Sequence, residues 1–425
     1  MSVFTALAGH SVRADDICFG GPLSGNTEAQ AECPGVCSNV GGSFSGAWTS
    51  DPATVVNAGC ARSTSVCGCS GVPASGKINL AYYIDAPNTG DQPVIGTITS
   101  DQMTALGSSD FTHIVFGFGN ICTKDTCGQY GNQPNDDPIA VWNINPAFYN
   151  GATNAGAAQA MQTLAATGKE LYISVGAAWN PETWYLFGAT DSTTVTAAAN
   201  EFHTFFKAYG FTGIDIDFEP LTDGTGLCDS DIERCKTGMV TFITALNALA
   251  TATAGDPAIK WSMAPYRTQS GDVSGTNADI SSAQWQYCMF LEAKVDASKV
   301  LVNRQYYDGG SAGHTPASVV SAVKKELQAK FQCNSGGPTH QINAAQLNPL
   351  LGVNLPLAHS PNCQFPVGSI PAPCAQFASA IVKAEPNIAG VGAYDLNNDL
   401  SSVNDIATYA AQINDGLVNG AAANN

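Results

Sequence analysis

The stretch Gly213-Ile214-Asp215-Ile216-Asp217-Phe218-Glu219-Pro220-Leu221 decides how the rest of the chain is read. Three carboxylates stand at i, i+2 and i+4, with Ile214, Ile216 and Phe218 among them. Successive side chains of a strand point to opposite faces. An extended chain here puts Asp215, Asp217 and Glu219 on one face and the large apolar groups on the other. A solvated surface strand would alternate in the same way. The run from Phe211 to Phe218 is nevertheless rich in bulky apolar residues, as in an inner strand of a parallel sheet covered on both faces. Acids crowded on an enclosed face have to share protons or hydrogen bonds, because a lone buried carboxylate is costly. Crowding raises the pKa of at least one of them, which is the property a general acid needs.

Around this stretch the chain has 425 residues and a net charge of −18, enough for one large barrel plus a small module. The acidic balance argues against nucleic-acid binding, which needs a basic surface. No apolar run reaches the roughly 18 residues of a membrane span, so no membrane partner is expected. The fourteen cysteines argue for disulfides and an oxidising compartment, hence secretion. The close pairs Cys33/Cys37, Cys122/Cys127, Cys228/Cys235 and Cys363/Cys374 lie in loop-like sequence that favours short bridges, leaving Cys288 and Cys333 as a residual pair. The cysteine spacings do not match zinc sites, and the six scattered histidines form no ligand cluster. Neither metal nor cofactor is expected. Residues 1–14 read as a signal-peptide remnant, with Val12-Arg13-Ala14 as the small-residue cleavage site.

Residues 15–72 hold six of the cysteines and form a small disulfide-rich, mostly β module; 73–77 are a linker; 78–425 form the main domain. From Ile78 onward apolar runs alternate with helical patterns, for instance at 157–167, 195–209 and 232–251. Strands are expected at 78–85, 112–119, 170–176, 212–219, 258–264, 300–307, 349–355 and 388–395. Eight βα units make an α/β fold of the (β/α)8 TIM-barrel type. Such barrels carry their chemistry at the carboxyl ends of the strands, which is where Glu219 stands, just before Pro220.

With Gly213, Asp215, Asp217 and Glu219 in register, the stretch resembles the Asp-Gly-x-Asp-x-Asp-x-Glu signature of glycoside hydrolase family 18, the chitinases and endo-β-N-acetylglucosaminidases; Thr212 replaces its first Asp. Ser174-Val175-Gly176-Ala177 is similar to the family's Ser-x-Gly-Gly, Met263-Ala264-Pro265 to its Met-Ala-Pro, and Gln305-Tyr306-Tyr307-Asp308 to its Gln-x-Tyr-Asn. Tyr394 stands where the family has a floor Trp. The resemblance implies a secreted chitinase acting on β-1,4-linked N-acetylglucosamine. In it Glu219 is the general acid, Asp217 orients the substrate acetamide, Asp215 shares a proton with Asp217, and Tyr307 holds the acetamide oxygen. Tyr82, Phe118, Trp179, Met263, Gln305, Asp308 and Tyr394 are the implied substrate-binding residues, with Trp184 a further candidate for an outer subsite. Packing in the barrel core is an equal reading for Tyr82 and Phe118. In the amino-terminal module, Cys33-Pro34-Gly35-Val36-Cys37 and Ser65-Val66-Cys67-Gly68-Cys69 resemble the mannan-binding lectin module, which implies a mannose-rich glycan partner at Phe44 and Trp48. An endo-β-N-acetylglucosaminidase acting on N-glycans and an inactive chitin-binding lectin are the alternative functions.

Overall fold

Eight parallel strands close on themselves around the acidic stretch. The computed structural model describes residues 16–39, 43–58, 60, 63–70, 76–84, 100–122, 139–142, 154–176, 181–189, 191–219, 228, 231–252, 258–265, 282–307, 315–353, 374–394, 396 and 403–422. In chain order they form β1 (Asp16–Phe19), α1 (Asn26–Asn39), β2 (Ser43–Thr49), α2 (Pro52–Asn57), β3 (Ser65–Ser70), β4 (Ile78–Ile84), α3 (Ser100–Ser108), β5 (His113–Cys122), β6 (Ile139–Trp142), α4 (Asn154–Ala165), β7 (Glu170–Gly176), α5 (Pro181–Ala189) and α6 (Ser192–Tyr209). There follow β8 (Gly213–Asp217), α7 (Ile232–Ala252), β9 (Lys260–Met263), α8 (Ser282–Glu292), β10 (Leu301–Gln305), α9 (Pro316–Gln328), β11 (Phe331–Gln332), β12 (Thr339–His340), β13 (Leu347–Gly352), α10 (Cys374–Ala384), β14 (Gly390–Tyr394) and α11 (Val403–Ala422).

The barrel runs β4-β14-β13-β10-β9-β8-β7-β5, and pairing of β4 with β5 closes it. The expected strands and the observed ones agree in number and place. Strand β6 adds an antiparallel edge to β5. Alternation along each strand sorts the barrel residues into two cores. Ile214, Ile216 and Phe218 point out into the strand–helix layer, with Leu171, Ile173 and Val175 of β7. Leu80, Tyr82, Val115, Tyr172, Leu301 and Leu350 fill the lumen. Helix α6 delivers the chain to β8: the Asp191 side chain accepts from the Thr194 amide at its start, a capping bond worth about 1 kcal/mol.

Thr212, which departs from the family signature, lies at the amino-terminal end of the barrel, away from the acids. Its hydroxyl donates to Glu170 Oε2 at 2.7 Å, and Glu170 pairs with Lys260. The link ties β7, β8 and β9 together at the barrel floor. His113 sits beside this link, its ring near Tyr172 and its Nδ1 2.9 Å from Thr112 Oγ1.

The described part of the amino-terminal module is the antiparallel sheet β1-β3-β2 with α1 and α2 packed beside it. Helix is thus added to the mostly-β expectation. The Cys33/Cys37 pairing expected from sequence is replaced by Cys33–Cys67 and Cys37–Cys69, with Cys18–Cys60 as a third bridge. The reason is geometric. Residues i and i+4 of a helix share a face, as do i and i+2 of a strand, so α1 is stapled to β3 twice. Loops of this length are each worth about 4 kcal/mol in the chain-entropy model. Cys228–Cys235 and Cys288–Cys333 are also bridged; Cys127 and Cys363 lie outside the described residues, and Cys374 is disulfide-bonded. The module sits on the last barrel helix: Val418 of α11 enters its core, and Asn419 accepts from the Cys18 amide at 3.0 Å and donates to the Ala58 carbonyl at 2.9 Å. Residues 1–14 and most of 73–77 lie outside the described residues.

Burial lowers the His113 pKa from 6.5 to about 4, against the opposing pull of Glu170. The unfolded chain therefore binds the extra proton first, and this contribution to stability, complete above pH 6.5, is lost as pH falls toward 4. Replacing His113 by Gln should flatten the fall in unfolding free energy over that window, as read by urea titration; an unchanged slope would remove His113 as its source.

Candidate active site

Asp215 lies fully buried in the lumen and accepts four hydrogen bonds. Ser262 Oγ at 2.5 Å and Asn303 Nδ2 at 3.3 Å reach Oδ1; Ser174 Oγ at 2.7 Å and the Tyr82 hydroxyl at 2.9 Å reach Oδ2. Burial pushes its pKa up and the four donors pull it back, leaving it above the ordinary carboxylate value. Both oxygens are engaged by these donors, and the carboxyl that Asp217 hydrogen-bonds in this structure is that of Glu219.

Asp217 is one step closer to the barrel mouth. Its pKa is pushed well up by burial first and then by the charges of Glu219 and Asp215. It hydrogen-bonds Glu219, which is half-buried at the end of the strand. Gln305 straddles the two: its Nε2 lies 2.9 Å from Glu219 Oε1 and 3.3 Å from Asp217 Oδ1, and it also meets the Ala264 carbonyl at 2.9 Å. The three acids thus differ in their partners: Asp215 is held by four donors, while Asp217 and Glu219 bond each other. Burial and the neighbouring acids push Asp217 well up, whereas the donors at Asp215 oppose the rise that burial causes there.

Tyr307 packs in the lumen cluster, its ring stacked on Tyr394 with centroids 4.4 Å apart and planes 4° from parallel. Burial, then the neighbouring Tyr394 and the carboxyls of Asp217 and Glu219, hold its hydroxyl protonated. Tyr394, in the place of a floor Trp, therefore gives one ring face to Tyr307. Phe118 packs at the edge of the same lumen cluster. Tyr82 spends its hydroxyl on Asp215 and is buried, so it supports the acid instead of meeting a substrate. Met263 has the opposite strand parity from Ser262 and is buried in the strand–helix core, not in the site where the sequence resemblance puts it. Trp184 is likewise core, edge-on to Phe218 at 5.0 Å. Trp179 and Asp308 lie outside the described residues. Phe44 and Trp48 are half-buried against the disulfide core of the module, and the Trp48 indole donates to Asn26 at 2.6 Å.

Sequence reasoning quoted Ser174 only as part of a motif and passed over Ser262, Asn303 and Asn348. Each is a polar residue on the lumen face of its strand, in β7, β9, β10 and β13 respectively. That pattern is a usable signal. Among the described residues no group of His, Cys, Asp and Glu is arranged to hold a metal ion.

A family model described as glycosyl hydrolases family 18 matches residues 79–307. No curated protein matches the chain by sequence. The fold is similar to a family GH18 chitinase of Chromobacterium violaceum, at 17% identity over 86% of this chain and 89% of that one, with a TM-score of 0.51. It is also similar to a candidate chitinase A of Streptomyces coelicolor, at 18% identity over 81% of this chain and 99% of that one, with a TM-score of 0.50.

The two glycines nearest the acids are fixed by close approach. A Cβ on Gly176, whose φ is +125°, would stand 1.9 Å from the Asp217 carbonyl; one on Gly213 would stand 2.2 Å from the Tyr172 ring. The Tyr172 ring is buried in the lumen cluster, so Gly213→Ala should destabilise the protein by about 1–3 kcal/mol. A thermal midpoint equal to the parent's would contradict this packing.

Proposed function

The chain belongs to glycosyl hydrolases family 18, and from that membership we propose that it is a secreted chitinase cleaving β-1,4 bonds that follow N-acetylglucosamine, with the substrate's own acetamide as nucleophile. The observation that carries the proposal is the stack of three acids in the barrel, with Asp217 hydrogen-bonded to Glu219 and its pKa pushed up, beside an Asp215 held by four donors.

A substrate acetamide N–H reaching Asp217 offers it a donor and favours its charged form, which sends the shared proton to Glu219. Glu219 gives that proton to the glycosidic oxygen as the bond to the anomeric carbon breaks. The acetamide carbonyl oxygen forms the new bond to that carbon, giving an oxazolinium ion whose positive charge faces Asp217. The Tyr307 hydroxyl, kept protonated by its surroundings, positions the carbonyl oxygen. Water then attacks the anomeric carbon, Glu219 takes its proton, and the ring opens to restore the acetamide. This differs from the common scheme in which an enzyme carboxylate is the nucleophile.

Secretion is supported by the disulfides of both the module and the barrel, which persist in oxidising compartments. For the amino-terminal module we favour binding of a mannose-rich glycan, on the half-buried rings of Phe44 and Trp48, since aromatic faces stack on sugars.

Glu219→Gln should lower turnover of chitotetraose by about a thousandfold or more while leaving binding intact; turnover at the parental rate would remove the assigned acid. The parent should cleave an N-acetylated oligomer and leave its deacetylated form untouched, as read by product masses. Equal cleavage of both would rule out the acetamide as nucleophile. Release of N-glycans from a high-mannose glycoprotein, with chitotetraose spared, would replace the chitinase reading by that of an endo-β-N-acetylglucosaminidase.

A further inference from the structure

Behind Asp215 a chain of amides crosses the lumen. Asn348 of β13 and Asn303 of β10 face each other in register, and both are fully buried. Asn348 Nδ2 donates to Asn303 Oδ1 at 3.0 Å; Asn303 Nδ2 donates to the Tyr82 hydroxyl oxygen at 3.1 Å and to Asp215 Oδ1 at 3.3 Å. The direction of this chain is fixed by its ends. Tyr82 has one hydroxyl proton, and its oxygen accepts from Asn303, so the proton goes to Asp215. Were the Asn303 amide reversed, its oxygen would face the Asp215 carboxylate, a repulsive contact in a dry site, and would compete with it for the one Tyr82 proton. The donor of Asn348 holds Asn303 the right way round.

We propose that Asn303, aimed by Asn348, is a positioning residue that directs the Tyr82 hydroxyl onto Asp215 and so fixes the negative charge there, confining the mobile proton to Asp217 and Glu219. The inference rests on the reading of that pair as the proton-transfer groups. Asn303 touches neither Asp217 nor Glu219; it acts on them through where the charge is held. Loss of its two donors leaves Asp215 easier to protonate, and a second proton in the triad stops the transfer to Glu219.

The test uses the full chain with Asn303→Leu, Asn348→Leu and the double variant, none of which alters an acid. Two quantities are read: the pH profile of kcat/KM on a 4-nitrophenyl glycoside of N,N′-diacetylchitobiose, and the titration of Asp215 by carboxyl carbon NMR without substrate. Asn303→Leu should lower kcat about tenfold with KM nearly unchanged and move both the acid limb and the Asp215 titration up by about one pH unit. Asn348→Leu should move them the same way by less, and add nothing in the Asn303→Leu background, because it acts only through Asn303. An Asp215 titration and acid limb equal to the parent's, or shifts that simply add, would overturn the inference. If Asn303→Leu does not fold, Asn348→Leu decides by the same two readings. A parent that turns over no N-acetylated substrate would remove the hydrolase reading, and the Asp215 titration alone would then decide this one.

Discussion

A carboxylate without water around it governs this molecule. Asp215 is fully buried, and an uncompensated charge in such a place costs several kcal/mol. Four donors from four different strands offset that cost: Tyr82 from β4, Ser174 from β7, Ser262 from β9 and Asn303 from β10. Each donor needs its strand in one register, so the anion and the barrel specify each other. A slip of one residue would turn the donor outward and an apolar side chain toward the charge.

Asp215 then acts on its neighbours. Burial and two nearby acids work against the charged form of Asp217 and push its pKa well up. Glu219, a step nearer the mouth, is the partner in reach, and Gln305 of β10, one strand beyond the neighbouring β9, bonds both. From the lumen to the opening the acids run in order: Asp215 held by four donors, Asp217 buried and bonded to its neighbour, Glu219 half-buried. Tyr307 and Tyr394, stacked across from the acids, close the other side with rings instead of charges.

Much of this was legible in the sequence. The alternation through Gly213–Glu219 gave the facing of the acids, and the spacing of apolar runs placed all the barrel strands. What failed did so for identifiable reasons. Met263 was matched to a motif without applying the same period of two that sorted Asp215 from Ile216; with Ser262 inward, Met263 has to point out. Helix α1 was hidden because Pro34 and Gly35 lie within it, both poor helix formers in general, yet two disulfides hold it to β3. Trp184, a candidate for an outer subsite, stands on α5, packed on Phe218. The Ser and Asn side chains were not legible as donors to Asp215, because a Ser or Asn in a strand carries no meaning until its face is known. Thr212, a departure from the family signature, falls at the barrel floor, where a hydroxyl joins the Glu170–Lys260 pair.

The central claim is that a neighbouring acetamide, aligned by Asp217 and Tyr307, displaces the leaving sugar before water enters. Two displacements at one carbon preserve its configuration. Proton NMR of the first-formed product from a β-linked N-acetylglucosamine oligomer, recorded before mutarotation, should show the new reducing end as the β anomer. A first product with the α anomer would mean a single displacement by water, and would contradict the account.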